Sequence, residues 1–141
     1  MKFQPDTISG VNSITRHDAG RVVVGADAYT ASLVVPWQGS VLDWGVARFD
    51  DLTPAHFERL VALQPELVVF GSGTRLRFAP PALVRALIER RIGVESMDTA
   101  AACRTYNVLV SERRPVVAAL LIDPPVAASS GPLDTDFIMP D

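Results

Sequence analysis

Cysteine occurs once in the 141 residues, as Cys103. No internal disulfide framework and no cysteine-cluster zinc site can therefore be built. Lysine is almost as scarce: of thirteen basic residues only Lys2 is not an arginine, so no phosphate loop of the Walker type is present. The two histidines, His17 and His56, lie in unrelated segments and fall short of a metal-ligand pattern; both are expected at the surface. The longest apolar run, Val116 to Ile122, has seven residues, against about eighteen needed to span a bilayer. The amino terminus, Met-Lys-Phe-Gln-Pro-Asp-Thr, shows neither a signal-peptide core nor the Arg-rich, acid-poor character of a transit peptide. A cytoplasmic setting is the expectation. Net charge of −3 lacks the basic excess of a nucleic-acid binder.

What is present is ordinary globular material, 48% apolar and 21% charged. A chain of this length removes roughly 70% of its unfolded surface from water, enough for one domain without disulfide or metal. Residues 1–122 are read as that domain. After Ile122 the run Asp123-Pro124-Pro125 breaks the pattern, and 123–141 is expected to form a mobile tail.

The first third reads as short strands. Val22 to Val24 is followed by a turn at Gly25-Ala26-Asp27, then by a β-forming stretch from Tyr29 to Val35. After Pro36-Trp37-Gln38-Gly39 comes Val41-Leu42-Asp43-Trp44, which alternates with period two. Short turns between neighbours imply antiparallel pairing. Trp37 and Trp44 are candidates either for the core or for an apolar contact between subunits.

From residue 53 the pattern changes to helices alternating with strands. Thr53-Pro54 starts a helix with stripe Phe57, Leu60, Val61 and a stop at Pro65. Leu67 to Phe70 is an unbroken apolar strand. A second helix begins near Pro81, with Arg90 and Arg91 expected in its last turn. Ile92 to Met97 is the next strand. Asp98-Thr99 caps a third helix, whose apolar face is Ala102, Cys103, Tyr106, Leu109 and Val110. Val116 to Ile122 is a last apolar strand. Two successive β-α-β units imply a partly parallel sheet with helices packed on it.

Candidate sites follow from this order. Gly71-Ser72-Gly73-Thr74 directly follows a buried strand, where open α/β sheets place ligand-binding turns. The dinucleotide fingerprint fails, because Leu76 stands where a third small residue is needed. The turn is either a structural one using glycine's positive φ or a binding loop. Five arginines and one acid between Arg75 and Arg91 suit an anionic small molecule or an acidic protein surface, or form a plain solvated face. Cys103 sits on an apolar stripe, with no histidine linked to it by spacing. Asn107, at the edge of that stripe with Arg104 one turn earlier, belongs either to a polar pocket or to a network tying the helix to its neighbours. A half-buried amide left unpaired costs about 1–3 kcal/mol.

The stretches Gly71-Ser72-Gly73-Thr74, Ile92-Gly93-Val94-Glu95-Ser96-Met97-Asp98-Thr99, Ala102-Cys103-Arg104-Thr105-Tyr106-Asn107-Val108-Leu109 and Val116 to Leu121 are similar to a domain-of-unknown-function family. Its members include the mitochondrial respiratory complex I assembly factor 3 and an adipogenesis-associated protein. The likeness covers roughly residues 1–122; its more specific part is Met-Asp-Thr followed by Arg-Thr-Tyr-Asn. It implies a single three-layer α/β/α domain around a mixed β-sheet, no established reaction, no cofactor and a protein partner. The family's usual Glu-Gly-Arg before the last strand is replaced here by Glu112-Arg113-Arg114-Pro115.

The leading expectation is a non-enzymatic, assembly-factor-like interaction module in which no residue is assigned a catalytic role. Its candidate binding residues are Gly71, Ser72, Gly73, Asp98, Thr99, Arg104, Tyr106 and Asn107. The alternative is a binder of, or enzyme on, an anionic small molecule, with Arg75, Arg77 or Arg104 as the clamp. Nucleic acid is not an expected partner, and a homo-oligomer stays open.

Overall fold

The structure is a computed structural model and describes residues 10–124. Three short strands, β1 (Ile14–Asp18), β2 (Arg21–Val24) and β3 (Asp27–Tyr29), form an antiparallel meander. A second, five-stranded sheet carries the rest of the chain. In it β4 (Leu33–Pro36), β5 (Leu42–Asp43), β6 (Leu67–Gly71), β7 (Gly93–Met97) and β8 (Val116–Leu120) lie in the order β5-β4-β8-β6-β7. β6 pairs parallel with β7 and β8, while β4 runs antiparallel to β8, so the sheet is mixed.

β8 is buried at all five positions and β6 at four of five, as strands must be when both faces of a sheet are covered. Their side chains alternate between two cores. Val69, Val116, Ala118 and Leu120 pack against α3 (Thr99–Ser111) through Ala102, Cys103, Tyr106 and Val110. Ile14, Val22 and Val24 of the small sheet join this side. On the opposite face Val68, Phe70, Val117, Ala119 and Leu121 meet Phe57 and Leu60 of α1 (Pro54–Val61), and Val84 and Leu87 of α2 (Pro81–Glu89). The result is three layers, with α3 and the small sheet on one side and α1 and α2 on the other. Trp44 is fully buried and meets Phe57 and Phe70 edge-on, with centroids 5.5 and 6.0 Å apart. Of the two places left open for the tryptophans, Trp44 takes the core; Trp37 is half-buried and packs against both clusters.

The structure corrects several readings. Tyr29 to Val35 is not one strand but the end of β3 and most of β4, which belong to different sheets. The break falls at Ser32, which is buried and whose carbonyl accepts the Trp44 N–H at 3.1 Å. β1 is a strand with no sequence signal. Arg90 and Arg91 lie just past α2 rather than in its last turn, and Arg91 turns the chain at φ 60°. Both histidines are half-buried rather than on the surface. His56 completes a capping box at α1, its Nδ1 accepting the Thr53 N–H at 2.9 Å. Residues 125–141, including most of the expected tail, lie outside the described residues.

Candidate functional site

The three parallel strands end together, and their ends enclose a cleft of about 400 Å³. Gly73 and Thr74 supply one wall, Asp98 to Ala100 the second, and Leu121 to Asp123 the third. The fourth wall is the end of β1 and the start of the β1–β2 turn, residues 17–19. This is the carboxyl edge of the sheet, where open α/β folds bind ligands. The helices leaving it diverge, α2 onto one face and α3 onto the other.

Thr99 holds the strands together. Its hydroxyl donates to Leu121 O at 2.7 Å and accepts the Gly73 N–H at 2.8 Å, while its own N–H donates to Gly73 O at 2.8 Å. Gly71 permits this approach: a Cβ there would sit 2.9 Å from Thr99 Oγ1 and 2.9 Å from Leu120 Cδ2. Gly73 is required twice over. Its φ is +103°, and a Cβ would stand 2.5 Å from Asp123 Oδ1, a backbone state that side-chain-bearing residues rarely adopt.

The Asp123 carboxylate closes the turn, accepting the Thr74 N–H at 2.9 Å and the Thr74 hydroxyl at 2.7 Å. Ser72 is buried; its Oγ lies 2.7 Å from Arg75 O and 3.1 Å from Met97 O, and it accepts the Arg77 N–H at 2.9 Å. Asp98 caps α3 by accepting the Ala101 N–H at 2.8 Å. The Asp98, Thr99 and Asp123 side chains of the cleft are thus bonded to the backbone that forms it, and so is Ser72 beside it.

The structure brings Gly71, Ser72, Gly73, Asp98 and Thr99 together at this edge. Arg104 lies one turn beyond Ala100 on the exposed side of α3, and Ala100 itself lines the cleft. Tyr106 and Asn107 sit further along, on the side of α3 that faces β1. Asn107 Nδ2 donates to Ile14 O at 2.7 Å and its Oδ1 accepts the Ile14 N–H at 2.9 Å. Tyr106 is fully buried, with its hydroxyl 2.9 Å from Asn12 O and 3.0 Å from Pro36 O. Between the two arrangements open for Asn107, it forms the network that ties α3 to β1, the strand that leads into the cleft's fourth wall. Burial pushes the Cys103 thiol up to about 12, against a smaller opposing pull from Arg104, and raises the Tyr106 hydroxyl as well.

The arginines divide. Arg75 and Arg77 share a second hollow of about 270 Å³ with Arg48, Asp50 and Asp123, and Arg104 lines neither hollow. Arg77 stacks over Phe49 at 5.0 Å and approaches Asp50 at 3.4 Å. The sequence reading did not select residues 17–19 or Asp123. Asp123 had one usable signal, an acid at the exit of an apolar strand; residues 17–19 had none. Among the described residues no group of three His, Cys, Asp or Glu is placed to hold a metal ion, and no helix is long and apolar enough to cross a membrane.

The model of a family described as "Protein of unknown function (DUF498/DUF598)" matches residues 14–121. The chain belongs to this family. Its members' likeness extends to solved structures. A Bordetella parapertussis protein superposes with a TM-score of 0.78 at 36% identity, covering 83% of this chain and all of that one. A Mth938-like domain from Bordetella pertussis gives 0.76 at 31%, covering 87% of this chain and 93% of that one. Among curated relatives, the Bos taurus protein named NADH dehydrogenase [ubiquinone] 1 alpha subcomplex assembly factor 3 is 39% identical over 108 residues. That alignment covers 75% of this chain but 57% of the relative. The α/β fold with a mixed sheet and the family inferred from the sequence are both borne out.

Proposed function

We propose that this chain is a non-catalytic binding module acting in the cytoplasm, assembly-factor-like, which receives a protein partner at the carboxyl edge of its parallel strands. One observation carries the reading: Thr74, Asp98, Thr99 and Asp123 of the cleft are hydrogen-bonded to its own walls, leaving a shaped, mostly apolar surface with the His17 ring at one side. Gly71, Ser72, Gly73, Asp98 and Thr99 frame that surface. Arg104 extends it along α3, and Asn107 and Tyr106 act as positioning residues, Asn107 by holding Ile14 of β1 and Tyr106 by holding Asn12 just before it. Relatives named as assembly factors support the same reading.

The test is quantitative capture with the wild type, Ala100→Trp and Arg104→Glu. Ala100→Trp fills the cleft without removing any of these hydrogen bonds, and Arg104→Glu reverses the charge one helical turn further along α3. Partners retained by the wild type and lost with both variants, at unchanged melting temperature, are the expected result. Identical partner profiles overturn it, as does specific turnover by the purified chain.

One feature favours the anion-binding alternative: Arg48, Arg75 and Arg77 line the second hollow, against Asp50 and Asp123, with Arg75 in no ion pair among the described residues. A ligand there at 100 times its Kd stabilises the fold by about 2.7 kcal/mol. A thermal-shift screen of phosphates and carboxylates reads this directly, and a flat screen removes the alternative.

A further inference from the structure

Among the described residues β7 is an edge strand of the large sheet, with β6 on one side and no neighbour on the other. Gly93 N–H donates to Glu66 O and Met97 O accepts from Ser72 N–H, so residues 93, 95 and 97 bond inward to β6. That alternation turns the N–H and C=O groups of Val94 and Ser96 outward. Neither residue's backbone has a bonding partner among the described residues. Beside this edge, on the α2 face, runs a groove of about 560 Å³. Phe78 and Ile88 line it while 71% and 55% exposed. Folded chains normally cover or shorten such an edge.

We infer that the β7 edge is a docking site for an extended segment of another protein, added antiparallel through Val94 and Ser96, with alternating apolar and basic residues. The alternation follows from the two faces of the strand. Val94 packs with the α2-side core and Met97 with the α3-side core. Residues of an added strand opposite Val94 and Ser96 therefore enter the groove beside Phe78 and Ile88, which selects apolar side chains. The residue between them faces Glu95, which is exposed on the other side. Arg91 lines the groove at the start of the strand, so a basic residue is selected opposite Glu95 and not at that end.

A second copy of this chain is the competing occupant, and Glu95 disfavours it. Two β7 edges joined through Val94 and Ser96 place Glu95 directly opposite its own copy, in the close type of antiparallel pair where like charges repel. A foreign strand bearing a basic residue at that position gains where the copy loses. The surface is separate from the cleft, so this inference and the cleft reading are tested by different variants.

The probes are two short peptides, acetyl-Thr-Val-Lys-Val-Thr-amide and the same peptide with Glu for Lys, titrated into the full chain labelled with nitrogen-15. Amide signals of Val94 and Ser96 are expected to shift with the Lys peptide, and the Glu peptide is expected to bind about fivefold more weakly, the size of a cross-strand charge preference. Glu95→Lys should reverse that order. Val94→Pro removes one outward N–H and no ladder bond, a change edge strands tolerate, and should abolish the shift at Ser96. If that variant fails to fold, Glu95→Lys alone decides. Equal affinity for both peptides, no shift at millimolar peptide, or retained binding in folded Val94→Pro overturns the inference. Dilution-dependent shifts at the same amides without peptide also overturn it, assigning the edge to a second copy.

Discussion

At the carboxyl ends of β6, β7 and β8 polar side chains are turned onto the protein's own backbone, whereas on the outer side of β7 the backbone has no partner among the described residues. The two regions are joined through Met97, whose carbonyl accepts from Ser72 N–H at one end of the strand while Val94 and Ser96 face outward further back. The difference lies in what each can recognise. A cleft whose threonines and aspartates are engaged presents contour, and Thr99 ties its strand ends together. An open edge presents a row of donors and acceptors that any extended chain can match, so its selectivity rests on Glu95 and the groove beside it.

The sharpest way to break the contrast is at Gly73. Gly73→Val drives a side chain against Asp123 and forces a β-branched residue to φ +103°, with an expected loss of about 3 kcal/mol or more in urea denaturation. Ser96→Ala at the edge removes only the acceptor of the Ala79 N–H and should cost about 1 kcal/mol in the same assay. Next comes Thr99→Val, which leaves the Gly73 N–H and Leu121 O unpaired. About 2–3 kcal/mol of stability should go, with faster amide exchange at Gly73.

Alkali tests the α3 side, which carries the cleft's second wall. The folded chain keeps the Cys103 proton to about pH 12, while the unfolded thiol releases it from its ordinary value of 9.0. The stability this group contributes is therefore complete below pH 9 and falls as pH rises toward 12, at about 1.4 kcal/mol per pH unit. Tyr106, also raised, adds to the fall from about pH 10. Denaturation of wild type and Cys103→Ala between pH 8 and 10 should show a flatter profile for the variant. The smallest effect is a gain. Arg113 ends the α3 turn at φ 64°, the left-handed conformation in which glycine is at ease. Arg113→Gly should stabilise by about 0.5–1 kcal/mol, read as a higher melting temperature.

The helices and the buried strands were legible because their signals are local. Phe57, Leu60 and Val61 carry the period of α1, and the apolar runs at 67–70 and 116–122 cannot be solvent-facing. β1 was not legible: of Ile14 to Asp18 only Ile14 is buried, so alternation gives nothing to count. It is a strand through its pairing with β2, and Asn107, far along the chain, fixes its first residue by holding the backbone of Ile14. The cleft was half legible for the same reason. Gly71 to Gly73 and Asp98-Thr99 are marked by their positions at strand ends, whereas residues 17–19 reach it only through β1. The open edge was hidden altogether, since Gly93 to Met97 reads alike in the middle of a sheet and at its border.

The pairing of β4 with β8 has a kinetic consequence. Leu33 to Pro36 find their partners in Val117 to Leu120, and a contact so distant in sequence closes slowly because the intervening loop's entropy is lost first. On the ribosome the apolar face of β4 waits until nearly the whole domain has emerged. The meander β1–β3 can form early, yet it has no floor until α3 arrives with Tyr106 and Asn107. Synthesis thus runs from the amino end while assembly of the sheet is completed from the other, and β8, the last strand among the described residues, is the one that lets the first third of the chain settle.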